Sequence, residues 1–215
     1  MPYNDFSLET VSSALGVSAG PADLFPNLDP VPVPSWLREM LDRGMRQILL
    51  SEKARSEFLV VPILLACQEM SGGAIAIYSG QRLDVDPERG LVGECDFILS
   101  ATPSVPALRA PLITIVEAKR NEVESGVWQC IAQMVGAREF NRRAGCGPEI
   151  IYGCVTNAEA WQFLRLSDAI AGIDLRRYYI DNVGYILAVF QNIISNAVPP
   201  NNPQESVGGA ATKRR

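Results

Sequence analysis

Three charged side chains stand where apolar residues are expected. Asp96 lies in Cys95-Asp96-Phe97-Ile98-Leu99, and Glu117 and Lys119 end the run Ile113-Thr114-Ile115-Val116-Glu117-Ala118-Lys119. Both stretches read as β-strands. On a strand, residues i and i+2 point to the same face, so Glu117 and Lys119 project side by side. With Asp96 on the neighbouring strand, two carboxylates and an ammonium converge on one spot. Hard carboxylate oxygens hold a divalent cation, and the ammonium beside them orients a water. The plain alternative for Glu117 and Lys119 is an exposed strand-end ion pair, which is worth little energetically. Charges that break an apolar pattern concentrate at functional sites, which favours the chemical reading.

Composition narrows that chemistry. The chain has no histidine. Ser-His-Asp and Cys-His catalysis, histidine-ligated zinc and histidine general bases are therefore excluded. The five cysteines (Cys67, Cys95, Cys130, Cys146 and Cys154) are odd in number and form no C-x-x-C pair. They read as reduced, mostly buried thiols, and a cytoplasmic location is expected. No apolar run is long enough to cross a bilayer and no secretory signal is visible, so no membrane association is expected. The net charge of −5 argues against a protein that coats nucleic acid with a global basic surface.

The elements that must position these residues follow from periodicity and punctuation. Residues 1–34 read as an extended, Pro-rich N-terminal arm, with Pro26, Pro30, Pro32 and Pro34 setting its character. Trp36, Leu37, Met40, Leu41, Met45 and Ile48 recur at helical spacing behind Ser35, which predicts a helix over 35–50. A second helix is predicted over 52–70, kinked or broken at Pro62. Strands are predicted over 74–79, 91–100 and 111–118, then a helix over 124–143. A hairpin of strands 149–156 and 160–166 turns at Asn157-Ala158-Glu159. A short strand over 177–180 and a helix over 182–195 complete one domain, 35–195, and residues 196–215 read as a disordered tail. This order predicts an α/β (α+β) fold with a central mixed β-sheet flanked by helices. Trp161 and Phe163 read as core, and Asp84 and Asp86 as turn residues. Gly93 marks a bend or a close backbone approach, or equally a simple strand irregularity.

Asp96, a spacer of 20 residues, and then Glu117-Ala118-Lys119 resembles the bipartite D…(D/E)-x-K motif of the PD-(D/E)XK nuclease-like superfamily. Cys95 stands where that motif usually has proline. The resemblance covers about 35–195 and extends to the element order: a helix bearing acids, a meander carrying the motif, then a helix. It implies a restriction-endonuclease-like core and Mg2+- (or Mn2+-) dependent hydrolysis of phosphodiester bonds, in DNA before RNA. Asp96, Glu117 and the Ala118 carbonyl would ligate the metal, with Lys119 orienting the attacking hydroxide. Glu57, on the helix before the meander, would reach the metal directly or through water, with Glu52 competing for that role. Gln129, on the helix after the motif, matches the superfamily's glutamine. Gln133, one turn on, shares its face, and each can bond a phosphate or the water.

Arg120, Arg138, Arg142 and Arg143 are the basic residues available to a nucleic-acid backbone, with Arg176 and Arg177 further on. Helix-dipole complementarity explains the three on the helix equally well. A two-fold homodimer is the default for an enzyme that cuts both strands. The alternative is a catalytically silent nuclease-fold interaction or regulatory module that acts through a protein partner, which suits the acidic charge.

Overall fold

The computed structural model describes residues 2–197. Seven strands form a single sheet: β1 (Ser18–Ala22), β2 (Ala76–Arg82), β3 (Glu94–Ser100), β4 (Leu112–Ala118), β5 (Ile151–Thr156), β6 (Ala160–Ser167) and β7 (Ile170–Tyr179). Their order is β1-β7-β6-β5-β4-β3-β2. The β4/β5 and β1/β7 pairs are parallel, and every other neighbour is antiparallel. The fold is thus mixed α/β, with a mixed sheet flanked by helices. A parallel pair needs a crossover, and α5 (Val127–Arg143) supplies it between β4 and β5. Every residue of β4 is buried. That is why it reads as a continuous apolar run and not as an alternating one.

Two apolar cores sandwich the sheet. On one face Cys130, Ile131 and Met134 of α5 pack with Ile115, Val155 and Leu164, joined by Val11 and Leu15 of α1 (Leu8–Leu15). On the other, α2 (Ser35–Gly44), α4 (Val61–Met70) and α6 (Val183–Ala197) bring Leu37, Ile63 and Phe190 against Val116, Trp161 and Phe163. Trp161 and Phe163 are core residues, each meeting Phe190 edge-on. Among the described residues no helix is long and apolar enough to cross a membrane.

The first 34 residues are more than an extended arm. They carry a 3-10 turn (Tyr3–Asp5), α1 and β1, and β1 adds to the sheet edge beside β7. The extended, Pro-rich part is confined to the stretch before α2, where Leu28, Val31 and Val33 lie on the core and the Val31 N–H bonds the Gly184 carbonyl. Tyr3 is fully buried, and its hydroxyl donates to the Leu83 carbonyl at 2.9 Å. Its ring fills the space left by Gly93 (φ +142°) and by Gly136 on α5, so Gly93 serves a close approach. A methyl group at Gly136 would run into the Tyr3 hydroxyl. Gly136→Ala is therefore expected to destabilise the fold by about 1–3 kcal/mol through overpacking, although alanine is the better helix former by about 1 kcal/mol. A shift of the urea midpoint at unchanged slope checks this.

The helices before the meander also differ from expectation. The helix predicted over 35–50 stops at Gly44, whose missing side chain admits the Phe58 backbone carbonyl. The predicted 52–70 helix divides upstream of Pro62, into α3 (Glu52–Arg55), a π turn (Ser56–Val60) and α4. Pro62 directly follows the π turn, inside a run that is helical throughout, so the widened turn before it, and not a helix start, precedes its missing N–H. The strand predicted over 177–180 is instead ten residues long. The polar run Asp174-Leu175-Arg176-Arg177 hid it, because it forms an irregularity opposite Gln162 and Leu164. Asn196 and Ala197 close α6, and the rest of the expected tail lies outside the described residues.

Candidate active site

β4 and β5 end side by side, with the Lys119 N–H donating to the Thr156 carbonyl at 2.7 Å. On the other flank of β4, the β3/β4 ladder runs only as far as Phe97↔Val116. Beyond that pair the two strands part, and the Ala118 N–H bonds Asp96 Oδ2 at 2.7 Å. A carboxylate thus replaces a ladder carbonyl. The N–H and C=O of one residue leave a strand on the same edge, so the Ala118 carbonyl also faces the Asp96 side. Asp96 Oδ1 accepts no hydrogen bond among the described residues. The cluster occupies the carboxyl ends of parallel strands, the usual ligand side of open α/β sheets.

Glu117 and Lys119 share the face covered by α5, as the i, i+2 relation requires. The Lys119 Nζ donates to Glu117 Oε1 at 2.7 Å and to Gln129 Oε1 at 2.9 Å. Gln133 Nε2 donates to the other Glu117 oxygen at 2.9 Å and, at 3.4 Å, to the Glu94 carbonyl. Glu117 is only 3% exposed, so it is not the solvated strand-end pair of the plain alternative. Burial, followed by the nearby Asp96 charge, pushes its pKa up to about 7, against the pull of Lys119 and Gln133. Asp96 is also raised, chiefly by burial. The Ala118 N–H and Lys119 oppose that rise, while the Glu52 and Glu94 charges add to it. Gln133 is fully buried, holds Glu117 through its Nε2, and its Oε1 has no partner among the described residues.

The two glutamates proposed for the preceding helix take different places. Glu57, on the π turn, has a carboxylate 55% exposed and 3.8 Å from Lys53 Nζ. Glu52 opens α3 directly after its cap, Ser51, and its Oε1 accepts the Arg120 N–H at 3.1 Å. Glu52 is therefore the helix acid tied to the motif strand. Glu94 was not anticipated as a charge acting on Asp96. It stands two residues before Asp96 on the same strand, so the i, i+2 reasoning applied to Glu117 and Lys119 also identifies it.

Among the described residues no three Cys, Asp or Glu side chains are arranged to hold a metal ion. Asp96 Oδ1 is the carboxylate oxygen of the pair left open, because both Glu117 oxygens accept from Lys119 and Gln133. A cation such as Mg2+ or Mn2+, which keeps several waters, can bind through a single carboxylate. Burial and, second to it, the Asp96 charge raise Glu117, and a cation beside the two acids would offset the second of these.

No protein-family model matches this chain, and no curated protein does. The site therefore rests on its own geometry. Of the arginines considered for a nucleic-acid backbone, Arg120 alone borders the cluster, with its guanidinium exposed. Arg138 is nine residues beyond Gln129, about 13 Å along the helix axis. Arg142 and Arg143 pair with Glu139, and Arg138 donates to the Asp168 carbonyl. Residues 130–137 are buried throughout, so α5 offers no continuous surface from these arginines to Lys119. Cys67, Cys95, Cys130 and Cys154 are buried and Cys146 is exposed, all unpaired. Burial pushes the Cys95 and Cys130 thiols well up, with Glu117 adding to it, so neither supplies a thiolate nucleophile. Asp84 and Asp86 serve the turn, accepting the Gly93 and Arg89 N–H groups.

Proposed function

We propose that the chain is a Mg2+- or Mn2+-dependent phosphodiesterase acting on DNA, with a restriction-endonuclease-like core. The observation that carries this reading is the Asp96 carboxylate bonded to the Ala118 N–H, next to Glu117, where β3 and β4 part, with the Lys119 ammonium bonded to both Glu117 and Gln129. Asp96, Glu117 and the Ala118 carbonyl would hold the cation. When bound, it would supply Lewis-acid stabilisation of the phosphoryl oxygens and a more acidic water. Lys119 offsets charge gathering at phosphorus and orients the water. Gln129 fixes the ammonium, and Gln133 fixes the Glu117 carboxylate.

Purified protein is expected to nick supercoiled DNA with Mg2+ or Mn2+. Asp96→Ala and Glu117→Ala are each expected to lower the rate by at least about 10²-fold, the scale of losing one transition-state contact. Nicking that persists in Glu117→Ala at the wild-type rate rejects this assignment. The second reading is a silent nuclease-fold module working through a protein partner. It is favoured by one observation: both Glu117 oxygens are already occupied by protein donors. Calorimetry at millimolar Mn2+ separates the two, because the module binds no metal.

A further inference from the structure

No residue of α3 is buried, so apolar packing does not fix its place. Its seat is polar. Arg55 Nη1 donates to the Asn157 carbonyl at 3.0 Å and to Glu159 Oε1 at 2.9 Å, from a side chain only 20% exposed. Asn157 and Glu159 belong to the turn between β5 and β6, which is anchored in the core. Ala158 at its centre is fully buried, with φ +75°. The Ala158 carbonyl accepts from Nε1 of the buried Trp161 at 3.1 Å, and Asn157 Oδ1 accepts the N–H groups of Glu159 and Ala160. Arg55 therefore ties a helical turn with no core contact of its own to a fixed corner of the molecule.

Both sides of this tie reach the chain that leaves β4. Asn157 Nδ2 donates to the Asn121 carbonyl at 2.6 Å. Glu52, three residues before Arg55 and on the same side of α3, accepts the Arg120 N–H at 3.1 Å. Lys119-Arg120-Asn121 is thus gripped between α3 and the β5/β6 turn, and Arg55 closes the ring behind it. The gripped segment begins with the residue whose ammonium bonds Glu117 and Gln129. Arg55 itself bonds no member of the Asp96/Glu117/Lys119 cluster among the described residues, so it acts on them through this ring.

We infer that Arg55 is a positioning residue for the candidate reaction: it seats α3 on the β5/β6 turn and so holds Lys119 in place beside Glu117. Its effect on rate rests on the phosphodiesterase reading, whereas the grip on residues 119–121 does not. Misplacing a reacting group by about 1 Å is enough to cost about 10²-fold in rate, so a loosened segment after β4 is felt in the chemistry.

The test is amide hydrogen exchange followed by NMR in EDTA, with nicking kinetics in Mn2+ beside it. Arg55→Met keeps the stem and removes both bonds. The Arg120 amide is expected to exchange at least tenfold faster in this variant, because Glu52 no longer covers it steadily. Ile115, paired on both sides within β4, is expected to keep its wild-type rate. The kcat for nicking is expected to fall about tenfold with KM unchanged, the pattern of lost alignment and not of lost substrate binding. Arg55→Lys is expected to restore most of both. The two bonds leave from one nitrogen, Nε is buried without a partner among the described residues, and an ammonium supplies rotatable donors. Wild-type exchange at Arg120 in Arg55→Met overturns the inference, and so does faster exchange with unchanged kcat. Faster exchange at Ile115 as well would make Arg55 a support of the whole fold, which also overturns it. Wild-type protein that nicks no DNA rejects the phosphodiesterase instead, and the exchange rates still decide whether Arg55 holds this segment.

Discussion

Lys119→Met is expected to reduce metal-dependent nicking by at least about 10²-fold, with the fold retained. The stem of Lys119 lies along the sheet beneath α5, against the position of Gly126, where any side chain would collide with it. Methionine keeps that stem and removes only the ammonium. Two bonds go with it, to Glu117 Oε1 and to Gln129 Oε1. Glu117 then loses the nearest charge holding its pKa down, so it keeps its proton to higher pH and holds a cation less well. The loss is therefore expected to be larger at pH 7 than at pH 9, which a rate profile in Mn2+ measures directly. Lys119→Arg is not expected to restore activity, because a planar guanidinium fork does not reproduce the two bonds the compact ammonium makes to Glu117 and Gln129. Wild-type rates in Lys119→Met would show that the ammonium plays no part in the chemistry.

The second large effect is a pH dependence of stability set by Glu117. Its pKa is about 7 in the folded protein, against an ordinary value of 4.5. For an acid whose folded pKa is raised, the contribution to stability is fully present below the unfolded value. It is lost as pH rises through the folded value. In metal-free buffer the wild type is accordingly expected to lose stability relative to Glu117→Gln between pH 4.5 and pH 7, levelling off above that. The full difference is on the order of 3 kcal/mol, set by the gap between the ordinary value and the folded one. Urea unfolding of both proteins across pH 5–8 reads it as a difference of differences, which cancels the contributions of other groups. Saturating Mn2+ is expected to flatten the slope, because a bound cation favours the ionised carboxylate. Parallel stability curves for the two proteins would show that Glu117 does not titrate in this range.

The parts of the site legible in the sequence are those set by strand geometry. Glu117 and Lys119 are two residues apart on an apolar strand, and that alone places them together. Gln129 and Gln133 are four apart on a helix, so one face presents both to the pair. What the sequence hid depends on longer-range or rarer geometry. A π turn at Ser56–Val60 leaves Glu57 beside Lys53, and no propensity or spacing rule marks such a turn in advance. The parting of β3 and β4 shows only in the register of pairing, yet it brings Asp96 to the Ala118 N–H. The burial of Tyr3 depends on Gly93 and Gly136, which lie about ninety and more residues further along the chain. β7 escaped full recognition for a related reason: Asp174, a buried carboxylate within it, is satisfied by the Tyr178 hydroxyl and by backbone N–H groups.

The pairing of β1 with β7 also bears on how the chain reaches its native state during synthesis. Ser18 and its neighbours dock on Ile170–Asp174, and Leu24 and Phe25 bond Asp174 and Arg176. At roughly 5–20 residues per second, the first strand leaves the ribosome on the order of ten seconds before its partner exists. Closing so large a loop carries a high entropic barrier and makes this edge a late event in folding. Until then β1 has no strand to pair with and β6 is the exposed edge of the sheet, whereas the partners of Tyr3 (Leu83, Gly93 and Gly136) have already been made.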